Sequence, residues 1–216
     1  MLIEYLPTFY YFDHFVTWNP NDKILDFGSN CGNLLKSNLG IIKEHNYTGI
    51  DVDHGSILTG QELFPSAKWI SYNRRNPAYN FNGENVLPSL DDTYDLIISY
   101  SVFSHTTFED MVELLDYLYS KLNPNGKIYF TFCNVENSAC VEWFRNRRVD
   151  CDLVPKKNLV YLVDNKVSYT EPTDPCVHFV AFYQAEWLLE KLKKFNPKIN
   201  PAPIYWIQDC IEIVKN

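Results

Sequence analysis

The chain has no apolar run long enough to cross a bilayer, and it does not open on a basic stretch followed by an apolar core. These absences argue against a membrane-embedded or secreted protein, so the expected setting is the cytoplasm. Zinc-like spacing and C-x-x-C pairs are also missing: the 6 cysteines stand at positions 31, 133, 140, 151, 176 and 210. Free thiols in a reducing compartment are expected, and no metal centre. Positive charge is in short supply, with 19 Lys and Arg against 27 Asp and Glu and a net charge of −8. A nucleic-acid binder neutralises phosphates, so DNA is not an expected partner. The one basic cluster, Arg145-Asn146-Arg147-Arg148 after Trp143-Phe144, is expected to be a solvated helix face. Internal repeats, linkers and low-complexity segments are absent too. The 216 residues therefore suit one domain, 1–216, with a sizeable core.

What is present is a strand that stops in a glycine turn. Ile24, Leu25 and Phe27 form a short apolar run, Gly28 ends it, and Gly32 stands where a helix over residues 33–39 begins. Glycine lets backbone approach a ligand closely, and N–H groups at a helix start favour an electron-rich partner. A second strand, residues 47–51, ends in the carboxylate of Asp51. A strand, glycine loop, helix, strand and acid in this order is how doubly wound folds hold an adenosine, the acid accepting from the ribose hydroxyls.

A dinucleotide site requires G-x-G-x-x-G, so that a pyrophosphate can settle on the helix end. This chain has Asp26-x-Gly28-x-x-x-Gly32 instead. The acid two residues before the first glycine repels a pyrophosphate and suits a ligand with an ammonium and a sulfonium. The pattern resembles the first motif of class I S-adenosylmethionine-dependent methyltransferases, and Gly49-Ile50-Asp51 resembles their second. Residues 94–105 are similar to the family's fourth strand and following loop, and residues 122–131 to the L-x-P-x-G turn entering its fifth strand.

The resemblance implies an α/β fold: a doubly wound, seven-stranded, mostly parallel sheet whose last strand is antiparallel, the Rossmann-like methyltransferase fold. It implies S-adenosylmethionine as cofactor. Gly28, Ser29, Asn30, Cys31 and Gly32 would approach its amino-acid part and sugar, with Asp26 near the ammonium. Asp51 would take the ribose, ahead of Asp53, with Val52 beside it. Tyr72 and Asn73 stand nearest the place for the adenine, where many members have aspartate. Ser99 and Tyr100, ending strand four, would lie near the transferring methyl. Methyl transfer needs positioning and sometimes a base. His105, His14 and His178 are the histidines considered, since imidazole accepts a proton near neutrality; His105 and His14 join Tyr100 as catalytic candidates, and His178 reads as structural.

Elsewhere, aromatics crowd residues 1–20, expected as a cap with a helix over 8–18. Strand three is expected at 67–72, a functional loop at 73–92, an amphipathic helix at 107–122 and strand five at 127–133. Residues 134–175 are expected as an insertion carrying a hairpin at 159–169, followed by a helix at 184–195 and an edge hairpin of 204–207 with 210–214. The family's amine-methylating D/N-P-P-Y/F sequence is replaced by Ser99-Tyr100-Ser101-Val102. The expected activity is methylation of an oxygen or nitrogen of a small molecule. The rivals are a fold member without catalysis, a nicotinamide-dependent oxidoreductase, and a methyltransferase acting on protein or RNA; oligomeric state is open.

Overall fold

In the computed structural model, residues 8–38, 40–77, 79–146, 158–163, 166–169, 179–204 and 206–216 are described. Tyr5, Leu39, Arg147, Arg148, Cys151, Cys176 and His178 lie outside them. The first half of the sheet comes from β1 (Ile24–Phe27), β2 (Tyr47–Asp51), β3 (Lys68–Ser71) and β4 (Tyr94–Ser99), all parallel in the order β3-β2-β1-β4. Helix α2 (Asn33–Ser37) links β1 to β2, and α3 (His54–Leu63) links β2 to β3. The long strand β5 (Leu122–Asn134) then runs parallel to β4.

Residue alternation in β4 shows why helices cover both faces. Ile97 packs with Met111, Leu114, Leu115 and Leu118 of α4 (Phe108–Ser120). Leu96 and Ile98 turn the other way, onto Leu34 and Leu35 of α2 and the aromatics of α1 (Thr8–Phe12). A strand buried on both faces reads as an unbroken apolar run, as residues 96–98 do.

At β5 the sheet forks. Residues 127–132 of β5 pair antiparallel with β10 (Asp209–Val214), which pairs in turn with β9 (Lys198–Asn200). The tip of β5, Cys133 and Asn134, pairs instead with β8 (Val180–Tyr183). Beyond β8 lies the hairpin of β6 (Leu159–Val163) and β7 (Lys166–Ser168). Strands β3-β2-β1-β4-β5-β10-β9 make the expected seven, with β10 antiparallel; β6, β7 and β8 bring the described sheet to ten. Helix α5 (Ser138–Arg145) carries the start of the basic cluster, and Phe144 from it packs 5.0 Å from Phe182.

Several boundaries differ from expectation, each for a local reason. The N-terminal helix stops at Phe12 because Trp18 folds back to stack on Phe9, 4.7 Å between ring centroids, and donates to Asp13. A continuous helix would hold those two rings about 13 Å apart along its axis. The edge partner of β10 is residues 198–200 rather than 204–207. Pro201 and Pro203 give no ladder donors, Ile204 is exposed, and Trp206 packs on Tyr11. Strand β5 begins at Leu122, paired to Tyr94, and the Pro124–Gly126 turn is absorbed as a register shift. The last helix is α6 (Ala185–Lys191), with Lys193–Phe195 a separate 3₁₀ turn.

One ring organises the first three strands. A Cβ on Gly49 or on Gly60 would sit 2.5 Å from the indole of Trp69, and one on Gly32 2.9 Å from it. β2, α3 and the loop after β1 thus meet across a single side chain of β3.

Helix α4 begins at Thr107, whose hydroxyl accepts from the Asp110 amide, with Glu109 and Asp110 in the first turn. Thr107→Ala is expected to lower unfolding stability by about 1 kcal/mol in urea denaturation, the usual cost of a lost N-cap. An unchanged midpoint would show that the cap contributes nothing.

Candidate active site

A cavity of about 270 Å³ opens at the C-terminal ends of β1, β2 and β4, where doubly wound sheets bind ligands. The loop after β1 forms one side. Gly28 (φ +82°), Asn30 (φ +49°) and Gly32 (φ +84°) are all left-handed. Gly28 is further constrained by space, because a Cβ there would lie 2.0 Å from Val102 Cγ2 in the loop after β4. The Ile50 carbonyl accepts from Gly28 N (2.8 Å) and Ser29 N (3.0 Å).

Asp51 ties this loop to β2. Its Oδ2 accepts from Asn30 N at 2.8 Å and its Oδ1 from Asp53 N at 2.9 Å. Burial raises its pKa, and the backbone donors partly offset that. Each oxygen keeps acceptor capacity for a ligand. Asp53 is also on the wall, but its carboxylate caps α3 through Gly55 N (3.1 Å) and Ser56 Oγ (2.6 Å). Asp26 is buried in β1 and accepts from the Tyr47 hydroxyl at 2.6 Å. Burial lifts its pKa to about 7 despite that hydrogen bond.

The loop after β4 supplies Tyr100, Val102 and His105. The Tyr100 phenol, packed against Tyr11 and Trp206, has its pKa raised by burial and stays protonated near neutrality, so it does not serve as a base. His105 Nδ1 lies 2.7 Å from the Phe179 carbonyl. A carbonyl only accepts, so Nδ1 carries the proton and Nε2 keeps its lone pair. Burial lowers the pKa of the ring, so it is neutral at neutral pH.

Of the residues singled out in the sequence, Asp26, Gly28, Ser29, Asn30, Asp51, Val52, Tyr72, Tyr100 and His105 meet on this wall. Five do not. Gly32 turns towards Trp69 and Phe64, and Cys31 Sγ accepts from Lys36 Nζ. Asn73 is exposed, its amide oxygen accepting from Asn80. Ser99 is fully buried and shares the strand face of Ile97, behind the cavity. His14 is exposed beside Phe15. Sequence reasoning did not assign Arg75, Asn76 and Tyr79, which line the cavity from the loop after β3. The only signal for them was that loop's length. Its Arg74 is held by Asp110 and Glu113, both at 2.5 Å, and by the Val86 carbonyl. Among the described residues no group of three or more His, Cys, Asp and Glu could hold a metal ion, and no helix is long and apolar enough to cross a membrane.

Asp26 gives a pH test of this geometry. Its folded pKa of about 7 lies above the ordinary 3.8, so the stability linked to its protonated form is complete below the unfolded value and is lost as pH rises through about 7. Asp26→Asn, which cannot ionise, is expected to gain melting temperature relative to the parent between about pH 4 and about pH 8. A constant difference across that range would show that Asp26 titrates normally.

Residues 25–128 match the family model of a methyltransferase domain. No curated protein matches the chain in sequence. Among solved structures, the glycopeptide N-methyltransferase MtfA with S-adenosyl-L-homocysteine superposes with a TM-score of 0.57 at 10% identity, over 92% of this chain and 84% of that one. The pyocyanin biosynthetic protein PhzM gives a TM-score of 0.61 at 11% identity, over 97% of this chain and 55% of that one. Magnesium protoporphyrin IX methyltransferase from Synechocystis PCC 6803 gives 0.53 at 12% identity, over 91% and 75%. At such identities the superpositions establish the fold alone. With the left-handed glycine loop leading to Asp51, the superpositions give this chain the fold of those methyltransferases, and residues 25–128 are the part that matches the methyltransferase-domain model.

Proposed function

We propose that the protein transfers the methyl group of S-adenosylmethionine to an oxygen or nitrogen of a small-molecule acceptor, with His105 as general base. The observation that carries this reading is the Asp51 carboxylate bound to the Asn30 amide, which joins the glycine loop and the acid of β2 in one wall. The wall suits the cofactor chemically. Asp26 offers an anion to an ammonium, and Asp51 has acceptor capacity for ribose hydroxyls. Asn30 replaces the middle glycine of a dinucleotide loop and Asp26 stands two residues before Gly28, which speaks against a nicotinamide dinucleotide. Bound there, S-adenosylmethionine supplies an already activated electrophilic methyl. The protein orients the acceptor, excludes water and takes up the proton that the acceptor releases. His105 suits this proton uptake because it is neutral and because the Phe179 carbonyl fixes the tautomer that leaves Nε2 bare. The aromatic segment at residues 1–20 and the insertion at 134–175 are read as cap and acceptor-selecting element of one domain.

Calorimetric titration with S-adenosylmethionine, S-adenosylhomocysteine and NAD tests the cofactor. Micromolar binding of the two sulfur compounds and none of NAD is expected, and Asp51→Ala is expected to weaken it at least tenfold. Binding of NAD alone would refute the assignment.

The base is tested with whichever acceptor a screen yields. His105→Ala is expected to lower kcat by about 100-fold or more while leaving cofactor affinity unchanged. In the parent, kcat is expected to hold as pH falls past the ordinary imidazole value near 6.5 and to decline only through the lower pKa of the buried ring. Near-normal turnover of the variant would remove His105 from the chemistry.

A further inference from the structure

The two arginines of the cavity differ in one respect. Arg74 is neutralised by two carboxylates. Arg75, half-buried on the same wall, has no carboxylate within ion-pair distance and no acceptor for its side-chain N–H groups among the described residues. Its guanidinium lies over the Phe81 ring, 4.7 Å from the centroid, and its backbone amide donates to the Glu84 carbonyl at 2.8 Å. One face of the guanidinium is therefore fixed, and its planar fork of donors remains for a ligand. A cation left unmatched in a cavity of a chain with net charge −8 calls for an anion from outside.

We propose that the methyl acceptor carries a carboxylate and that Arg75 is the residue that holds it. The proposal rests on the methyltransferase reading of the cavity and names the acceptor class within it. The competing anion is the cofactor's own carboxylate. That group is bound to the carbon bearing the ammonium, so an ammonium held by Asp26 keeps the carboxylate at the β1 end. Arg75 belongs instead to the loop after β3, which crosses the strand ends towards the loop after β4. The same loop is pinned to the candidate base: Asn76 Nδ2 donates to the His105 carbonyl at 2.9 Å, and Tyr79 stands edge-on to the His105 ring at 5.4 Å. An acceptor with an acid group and a nucleophile would thus meet its cation and its base along one edge of the cavity. Guanidinium and carboxylate match as a bidentate pair, which selects a planar oxyanion over a neutral isostere.

The test compares benzoate with benzamide, two probes of equal shape, binding to the full chain saturated with S-adenosylhomocysteine and followed by ligand-observed NMR. The parent is expected to bind benzoate at least tenfold more tightly than benzamide. Arg75→Gln is expected to erase that preference while leaving affinity for S-adenosylhomocysteine within twofold, and Arg75→Lys to keep part of it. Equal binding of the two probes by the parent, or a preference that survives Arg75→Gln, overturns the proposal. So does an Arg75→Gln protein whose loss is in S-adenosylhomocysteine affinity, which would assign the arginine to the cofactor. The titration with S-adenosylhomocysteine comes first: its failure with the parent chain would strike the methyltransferase reading itself, and this inference with it. Should Arg75→Gln melt early, Arg75→Lys carries the comparison.

Discussion

The Asp51 carboxylate is the constraint on which the rest of the site depends. A left-handed loop of non-glycine and glycine residues is costly to hold and needs an external anchor. Asp51 gives it one by accepting from the Asn30 amide, and with its other oxygen fixes the Asp53 amide, where α3 begins. That one side chain therefore sets both the exit from β1 and the exit from β2. Gly28 is then free to press against Val102, which brings the loop after β4 into the same wall. The polar contents of the cavity are arranged around this junction, with carboxylates at the ends of β1 and β2 and the arginine and histidine beyond them.

The fork at β5 explains how β8 reaches the cavity. A strand of ordinary length would be used up by β10, but β5 is 13 residues long and its last two pair with β8. This carries the residue just before β8, Phe179, to within hydrogen-bond distance of His105. The segment leading into β8 thus meets the cavity wall through a backbone carbonyl, a contact that is insensitive to side-chain identity. Strands β6 and β8 are buried through Val160, Leu162 and Phe182 against α5, so the carbonyl sits on a packed element.

The parts of the fold that were legible in the sequence are those governed by local rules. β2 was bounded to the residue, ending at its terminal acid, and the start of α4 by its leucine stripe and Thr107 cap, although α4 ends at Ser120 rather than at 122. The first glycine loop was legible because left-handed backbone has few substitutes for glycine and asparagine. Elements fixed by distant contacts were not legible. Residues 204–207 have strand-like composition, yet Gln208 is spent on Thr131 and Ser101 and the ladder resumes across the prolines at Asn200. The aromatic segment has helix-compatible composition, yet stacking of Trp18 on Phe9 reverses it. In the site, Asp26 and Asp51 followed from motif spacing, whereas Arg75 and Tyr79 come from a loop without regular structure whose course depends on Arg74 reaching α4.

The indole of Trp69 occupies the space that side chains at positions 49 and 60 would otherwise fill. Those three positions are therefore expected to behave as a single character in descent. A larger residue at either glycine becomes tolerable only after the tryptophan has shrunk, and a smaller residue at position 69 leaves a void that the glycines cannot fill from where they stand. Gly32 stays outside this block, because its left-handed backbone excludes a side chain whatever stands at position 69. Drift among relatives of this chain should move the three together, while the rest of the edge strand, Lys68, Ile70 and Ser71, varies independently.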